Sequence, residues 1–508
     1  MSISPYSGST FKRSTLHFLT GKVIAALITF VTLLLLVRLL ATDEYGAYIV
    51  LVAGIEISLA FTAVGLPWVA ARYLPEFRIY AGGRILAHFV WQVVARIGFF
   101  LVAGALLLFI ALPWLLPPLD LKQYTSVAEF YLVVLVIEGV GRYIRESIFG
   151  ALMQQGQAQI SQVLRNLVFL LIIVIVTTQG SVHLNHVVLA ELVASILGTI
   201  LALRGLIRYL HVHRSLPEQA NWQAPNWLEM WSVARFMYFN SLVTYSYSPQ
   251  VFVFLIQRYL GAEATALFGF LRALYDHVSR YLPATLLFGL IRPKLVASFV
   301  GSGGMDKLAS DTNLIGKLSL FVLMPILVFA WLAGNDLLIL LSGGKFSGTN
   351  NYLGGLLVAL IPLSQRQILE TVAVSCEKSY LCFLGAFIGI TSLPLAYLML
   401  EFGQGLWSVI VAITVSQILF DVVLIMALTI ITTFRFDSIG FFKLIVAALI
   451  EFILVKLLAI PVYSWLDLFI IGIFSYGFFL LIAYFVKPFH MEEQARLNRL
   501  FNRKFFIW

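Results

Sequence analysis

Charge is scarce in this chain. Only 12% of its 508 residues are Asp, Glu, Lys or Arg, where soluble domains carry about 25%. Cysteine is scarcer. Cys376 and Cys382 are the only two, too few for a disulfide framework or a cysteine-built metal cluster, and they read as free thiols. No G-x-x-x-x-G-K-S/T loop occurs, so no ATP site is visible. No His/Cys cluster has zinc spacing, and no Ser, Cys or His constellation reads as a nucleophile. Long polar stretches are missing too. The longest loop, about 209–231, contains RSLPEQANWQAPNW and reads as a cytoplasmic linker over 212–231. These absences exclude a soluble enzyme and leave no expected catalytic residue, metal or cofactor.

What the chain has is apolar surface. Hydrophobic residues make up 60%, aromatics 14%, and the mean hydropathy is +0.94. A soluble core cannot absorb that much apolar surface; lipid-facing walls and interfacial belts can. A membrane span needs roughly 20 mostly apolar residues. Fourteen stretches qualify: 15–41, 45–71, 86–116, 126–150, 157–178, 185–208, 232–260, 264–291, 312–341, 351–375, 379–401, 405–431, 439–461 and 464–487. The first is too long for a signal peptide and lacks a clear cleavage site. The expectation is an all-α polytopic membrane protein.

Lys and Arg sort by loop. One set of loops holds Lys12, Arg13, Arg72, Arg78, Arg84, Arg208, Arg214, Arg292, Lys294, Lys307, Arg435, Lys443 and a basic tail. The opposite loops hold little beyond Arg38, Lys122, Arg258 and Lys345. Positive charge stays on the cytoplasmic side, so both termini are expected there. The net charge of +9 then faces the anionic inner leaflet rather than nucleic acid. In the tail, 488–508, Leu497, Leu500, Phe501, Phe505 and Trp508 share a helical face. This predicts an interfacial amphipathic helix, with a frayed basic tail as the alternative.

An internal repeat is visible. A shift of 220 residues matches Arg38 with Arg258, Asp43 with Glu263, Tyr48 with Phe268, Glu56 with Asp276 and Arg72 with Arg292. A shift of 224 matches Arg142 and Glu146 with Arg366 and Glu370. The prediction is an N-terminal lobe of six spans over 1–211 and a second over 232–431. They form a parallel pseudo-twofold repeat, followed by two extra spans over 432–487. Repeat-built transporters place their substrate path between the halves.

Ionisable groups at bilayer depth are costly and usually functional. The fourth span carries Glu138, Arg142, Arg145 and Glu146, and the eighth carries Arg272, Asp276 and Arg280 at steps of four. Lys22, Glu56, Arg96, Arg165 and Arg235 lie within or near other spans. Two readings compete. Neutralising pairs can fix helix packing. Alternatively, the arginine surplus lines a cavity with an anionic occupant, and the planar guanidinium fork favours phosphate. The seventh span is crowded with Tyr238, Asn240, Ser241, Thr244, Tyr245, Ser246, Tyr247, Ser248 and Gln250. These suit water or sugar hydroxyls better than lipid. Pro249 in the same stretch marks a gate, or equally a static kink. The candidate binding residues are Arg142, Arg145, Arg165, Arg235, Arg272, Arg280 and Tyr245. The candidate coupling or charge-pair residues are Glu56, Glu138, Glu146, Asp276, Arg366 and Glu370.

The opening FLTGKVIAALITFVTLLLLVRLLATDEYGAYIVLVAGIEI resembles the first two helices of the Wzx-type oligosaccharide flippases. They belong to the multidrug/oligosaccharidyl-lipid/polysaccharide exporter superfamily. Arg38-Leu39-Leu40, Asp43-x-Tyr45-Gly46-x-Tyr48 and the following Glu56 carry the likeness, and the architecture extends it over the whole chain. The resemblance implies a two-lobe fold with alternating access. It implies an undecaprenyl-pyrophosphate-linked oligosaccharide as substrate, moved to the outer leaflet of the bacterial inner membrane for polysaccharide or O-antigen biosynthesis. A polysaccharide polymerase and a chain-length regulator are the implied partners, besides membrane lipids. Three rivals stay open: a lipid II flippase, a cation-coupled multidrug antiporter of the same superfamily, and a membrane glycan polymerase. The arginine surplus argues against the antiporter, and the short external loops argue against the polymerase.

Overall fold

The computed structural model describes residues 8–215, 217, 222–286, 304–376, 378, 380–458, 462, 464–501 and 506–508. Among them there is no strand, and the chain is nearly all helix. It divides into two compact units, Met1–Ala266 and Leu267–Trp508.

The first unit begins with α1 (Gly8–Leu39), α2 (Thr42–Thr62), α3 (Leu66–Tyr80), α4 (Gly83–Leu115) and α5 (Thr125–Tyr143). A π-helical turn at Ile144–Ile148 extends α5, and a single turn at Phe149–Ala151 follows. Then come α6 (Gln155–Gln179), α7 (Leu184–Val212), α8 (Trp227–Ser246) and the start of α9 (Pro249–Tyr281). α1 packs on α6, α5 and α6 on α7, and α4 on α5. Large side chains on α4 face outward, Leu106, Leu107, Ile110 and Trp114 among them, each at least 60% exposed. In water that wall would be untenable; in lipid it is the ordinary surface of a span.

The second unit takes the rest of α9 and then α10 (Gly304–Ser342), α11 (Tyr352–Val358), α12 (Leu360–Ser375), α13 (Tyr380–Gly389), α14 (Ser392–Glu401), α15 (Trp407–Ile431), α16 (Ser438–Leu457), α17 (Trp465–Val486) and α18 (Met491–Phe501). α10 is its central element, packed against α11, α12, α16 and α17, while α15 packs against α11 to α14.

Twelve helices among the described residues are long and apolar enough to cross a membrane, against fourteen predicted spans. Two particulars separate the numbers. The predicted 126–150 span contains α5, whose Glu129, Glu138 and Arg142 make it too charged to qualify. The predicted 232–260 and 264–291 spans fall in one helical run, Trp227–Tyr281, with residues 287–291 outside the described part. That run is not straight. α8 ends at Ser246, and Gly261 at φ 81°, ψ −174° interrupts α9.

Several predicted ends also shift. The 45–71 span stops at Thr62, because Val64 and Gly65 take positive φ and Pro67 opens α3 as a separate helix. The 351–375 span breaks at Ala359 into α11 and α12, and the 379–401 span at Ile390–Thr391 into α13 and α14. Of the predicted 439–461 span, residues 459–461 lie outside the described part.

Pro249 is the first residue of α9 rather than a residue inside a helix. There its missing N–H costs nothing, so the direction change falls on Tyr247 and Ser248. The interruption at Gly261 corresponds, at the 220-residue shift, to Ala41, where α1 gives way to α2.

The linker region is held to the first unit by aromatic contacts. Trp222 meets the Phe77 ring edge-on at 5.0 Å, Phe77 stacks on Phe89 at 4.0 Å, and Trp227 lies 5.5 Å from Phe89. The tail helix α18 packs on its own unit. Leu497 and Phe506 join a buried cluster with Phe321, Phe441, Phe479 and Phe489, and the Trp508 indole donates to the Leu480 carbonyl at 2.8 Å. The apolar face predicted for lipid is thus spent on protein at Leu497; the side chains of Leu500, Phe501 and Phe505 lie outside the described residues.

Candidate functional site

The first unit gathers seven ionisable side chains from four helices. Arg142 on α5 donates to Glu56 on α2 at 2.9 Å and to Glu146 at 3.2 Å. One turn deeper, Glu138 accepts from Arg145 and, at 2.7 Å, from Arg165 on α6. Arg165 also reaches Glu191 on α7 at 3.2 Å, and the Tyr131 hydroxyl donates to the same Glu191 at 2.8 Å. The π-helical turn carries Arg145 and Glu146. Such turns are rare and often mark functional sites. Seven positions are about two helical turns, so Arg145 and Glu138 share one face of the helix, while Arg142 reaches across to Glu56.

The network has two tiers of different wetness. Side chains of Arg145, Glu138, Arg165 and Glu191 are 3–14% exposed, whereas Arg142, Glu56 and Glu146 are 35%, 29% and 63% exposed. The inner tier is closed off by its own bonds and by packing: a Cβ on Gly198 would come within 2.9 Å of the Arg165 Cβ. The outer tier can exchange a partner with a ligand, because water already reaches it. Tyr245 on α8 lies within electrostatic reach of Glu56, Arg142 and Glu146. Glu146 also lines an open recess with Pro67, Trp68 and Ser147.

Within this network there is no surplus of arginine. Three arginines meet four glutamates, because Arg165, which has no local partner in the sequence, is bonded to both Glu138 and Glu191. Arg235 is exposed on α8.

The second unit is organised differently. Arg366 on α12 donates to Glu370 at 2.9 Å and to Gln417 on α15 at 3.5 Å, with its guanidinium 4.0 Å over the Phe420 ring. This i,i+4 pair matches Arg142 and Glu146 of the first unit. Beside it lies Asp421, only 6% exposed, with one carboxylate oxygen buried and unbonded. On α9, Asp276 is half-buried and Arg280 exposed. Arg272 forms no ion pair among the described residues, and one nitrogen of its guanidinium is buried without a hydrogen-bond partner. A buried guanidinium nitrogen without an acceptor is costly, and Arg145 has two of them.

Ionisable residues inside helical spans also escape the sequence analysis: the buried Lys317, Asp421 and Glu451 and the largely buried Glu191. All sit alone in apolar runs, which is the signal that could have found them. Lys317 on α10 is fully buried and donates to Asp437 at 2.7 Å and Glu493 at 2.5 Å. With His490 these two acids form a group of metal-ligand types, but the Lys317 ammonium is bonded to both carboxylates. The described Cys376 and Cys382 are free thiols.

The sequence matches the family model described as polysaccharide biosynthesis protein over residues 11–287. No curated protein sequence matches it. Among solved structures, an inward closed conformation of the lipid II flippase MurJ is similar with a TM-score of 0.70 at 13% identity, over 92% of this chain and 98% of that one. The MATE multidrug transporter DinF-BH is similar with a TM-score of 0.58 at 15% identity, over 84% and 97%. A MATE transporter of Vibrio cholerae is similar with a TM-score of 0.56 at 14% identity, over 83% and 97%. These likenesses identify the fold, that of the multidrug and lipid exporters, whose members compared here are transporters rather than enzymes.

Proposed function

The chain belongs to the family of polysaccharide biosynthesis proteins, and from that premise we propose that it is a flippase for lipid-linked oligosaccharide. Its substrate is an undecaprenyl-pyrophosphate-linked glycan, carried from the inner to the outer leaflet of the bacterial inner membrane by alternating access. Both termini face the cytoplasm, and a polysaccharide polymerase and a chain-length regulator act downstream.

The observation that supports this most is Arg272, a guanidinium in a membrane helix with a buried, unbonded nitrogen and no acidic partner among the described residues. A pyrophosphate supplies the missing acceptors, and its charge suits a fork that stays protonated. Arg142 is the second candidate, because its carboxylate partners are wet enough to be exchanged. Arg145 and Arg165 hold the scaffold. Tyr245 and its polar neighbours face sugar hydroxyls, and Arg235 and Arg280 guide the phosphates from exposed positions. The Glu56, Glu146 and Glu370 carboxylates, with Asp276, exchange with the substrate or a coupling ion.

The test compares glycan export with folded protein in the membrane for Arg272→Ala and Arg272→Lys. A charge-assisted hydrogen bond contributes about 1.5–3 kcal/mol, so alanine is expected to weaken substrate binding roughly ten- to a hundred-fold at normal protein level. Lysine is expected to restore part of it. Normal export by well-expressed Arg272→Ala sinks the reading. Export of cationic compounds with no glycan movement puts the multidrug antiporter in its place, and selective movement of lipid II makes that the substrate.

A further inference from the structure

Glu451 lies in the middle of α16 and is fully buried. Apolar residues flank it along the helix: Ala447 and Ala448 belong to one buried cluster and Val455 to another. It enters no ion pair among the described residues. Its Oε1 is hydrogen-bonded with the Ser475 hydroxyl of α17, and its Oε2 is buried without a partner. The same hydroxyl reaches the Pro325 carbonyl of α10 at 3.4 Å.

The charged groups on the three helices stand elsewhere. Lys317 on α10 and Asp467 on α17 are each eight residues from the contact, about 12 Å of helix rise, and Asp336 on α10 is farther. Lys317 is engaged by Asp437 and Glu493, and Asp467 caps its own helix at Ser464. On α16, Lys443 bonds to the Lys487 carbonyl. Lys456 lies five residues on, about 140° around the helix, with its ammonium over the Phe452 ring. Tyr476 beside Ser475 is exposed, pointing away.

Counting hydrogens decides the state of the carboxyl. The Ser475 hydroxyl has one hydrogen and two acceptors in reach. A carboxylate would take it, leaving the Pro325 carbonyl unserved and an anion in apolar surroundings on a single hydrogen bond, which is expensive. A carboxylic acid donates its own hydrogen to the Ser475 oxygen, and Ser475 then donates to Pro325. Every hydrogen is used and three helices are joined in one relay.

We propose that Glu451 is a proton-binding site set among α10, α16 and α17, holding a proton in this conformation and releasing it when the helices part enough to admit water. The ligand is the proton itself. The assignment stands whichever substrate the protein carries, and it lies outside the arginine sites.

The test uses the full-length protein in lipid nanodiscs and the apolar reagent dicyclohexylcarbodiimide. A protonated carboxyl adds across one C=N bond, its proton passing to nitrogen, so the peptide gains the whole reagent and nothing leaves. Peptide mass mapping is expected to place the adduct on Glu451 at neutral pH, with loss of labelling as the solution is made alkaline. The adduct should be missing from Glu451→Gln. If that variant fails to fold, the native protein still decides. An unmodified Glu451 peptide at every pH, while the reagent modifies another carboxyl, overturns the proposal. So does equal labelling by a water-soluble carbodiimide, which would mean that the carboxyl is open to water.

Discussion

Replacing Glu138 by glutamine keeps the size of the side chain and removes the anion shared by Arg145 and Arg165. The two arginines respond differently. Arg165 retains Glu191 at 3.2 Å and the Asn166 amide oxygen at 3.3 Å. Arg145 retains only the unbonded charge of Glu146. Its side chain is 3% exposed, Glu138 is its only ion-pair partner among the described residues, and two of its three guanidinium nitrogens are already unbonded. The variant therefore leaves a buried cation with no bonded partner, which costs about 3–5 kcal/mol. For a unit of this size each kcal/mol moves the melting temperature by about 2–4 °C, so the expected drop is roughly 6–20 °C.

The assay is a thermal melt of the purified protein, followed by size exclusion with fluorescence detection. A second variant sharpens it. Adding Arg145→Met to Glu138→Gln removes the stranded cation, and exchanging both partners of a buried pair for uncharged groups is often neutral. The double variant is expected to melt above the single one, a coupling of opposite sign to simple additivity. A single variant that melts within about 2 °C of the native protein refutes the reasoning, and so does a double variant that melts lower still.

Three further outcomes follow from other parts of the molecule. A Cβ on Gly46 would strike the Ala262 carbonyl oxygen, while one on Gly477 meets nothing within 4 Å; Gly46→Val is expected to lower the yield of folded protein several-fold and Gly477→Ala to leave it unchanged, read by size exclusion. Burial would raise the Asp437 carboxyl, but hydrogen bonds from Lys317 and the Gly440 N–H, with the charges of Lys317 and His490, outweigh it and hold the carboxyl below its ordinary 3.8. A group held low contributes stability above its unfolded value and loses it as pH falls through the folded one, so tail docking in the native protein should weaken below about pH 4, and Asp437→Asn should flatten that dependence, measured as tryptic cleavage after Arg499. Single cysteines at Arg214 and Arg499, both exposed, should resist an impermeant thiol reagent applied outside intact cells; ready labelling at either overturns the cytoplasmic placement of the termini.

What the sequence made legible was the pattern that local chemistry enforces. Apolar runs announce spans because every backbone group in lipid must be bonded within its own helix, and charged residues at four-residue spacing announce pairs because a helix puts them on one face. Arg142 with Glu146 and Arg366 with Glu370 are both such pairs. The partners that matter most are not local. Arg165 takes an acid 26 residues away on α7, and Arg142 takes one 86 residues back on α2; no spacing rule reaches across helices, so the arginine surplus looked larger than it is. The breaks differ in kind. Ala359 and Thr391 keep helical dihedrals and each stands three residues before a proline, Pro362 and Pro394, which removes a backbone donor, whereas at Gly261 the backbone itself leaves the helical region.

The same logic explains why solitary charges went unread. A lone Glu191, Asp421 or Glu451 barely lowers the hydropathy of its span, and no neighbour at i+4 draws attention to it. Yet a solitary charge has to find its partner on another helix or carry a proton, and either requirement fixes how helices pack. Lys317 joins α10 to Asp437 and to the tail helix, and Glu191 joins α7 to α5 and α6. The isolated ionisable residues therefore specify tertiary structure, as the paired Arg142 also does through Glu56. Arg272 differs from them in that one of its guanidinium nitrogens is buried without a hydrogen-bond partner, which is why the proposed substrate site begins there.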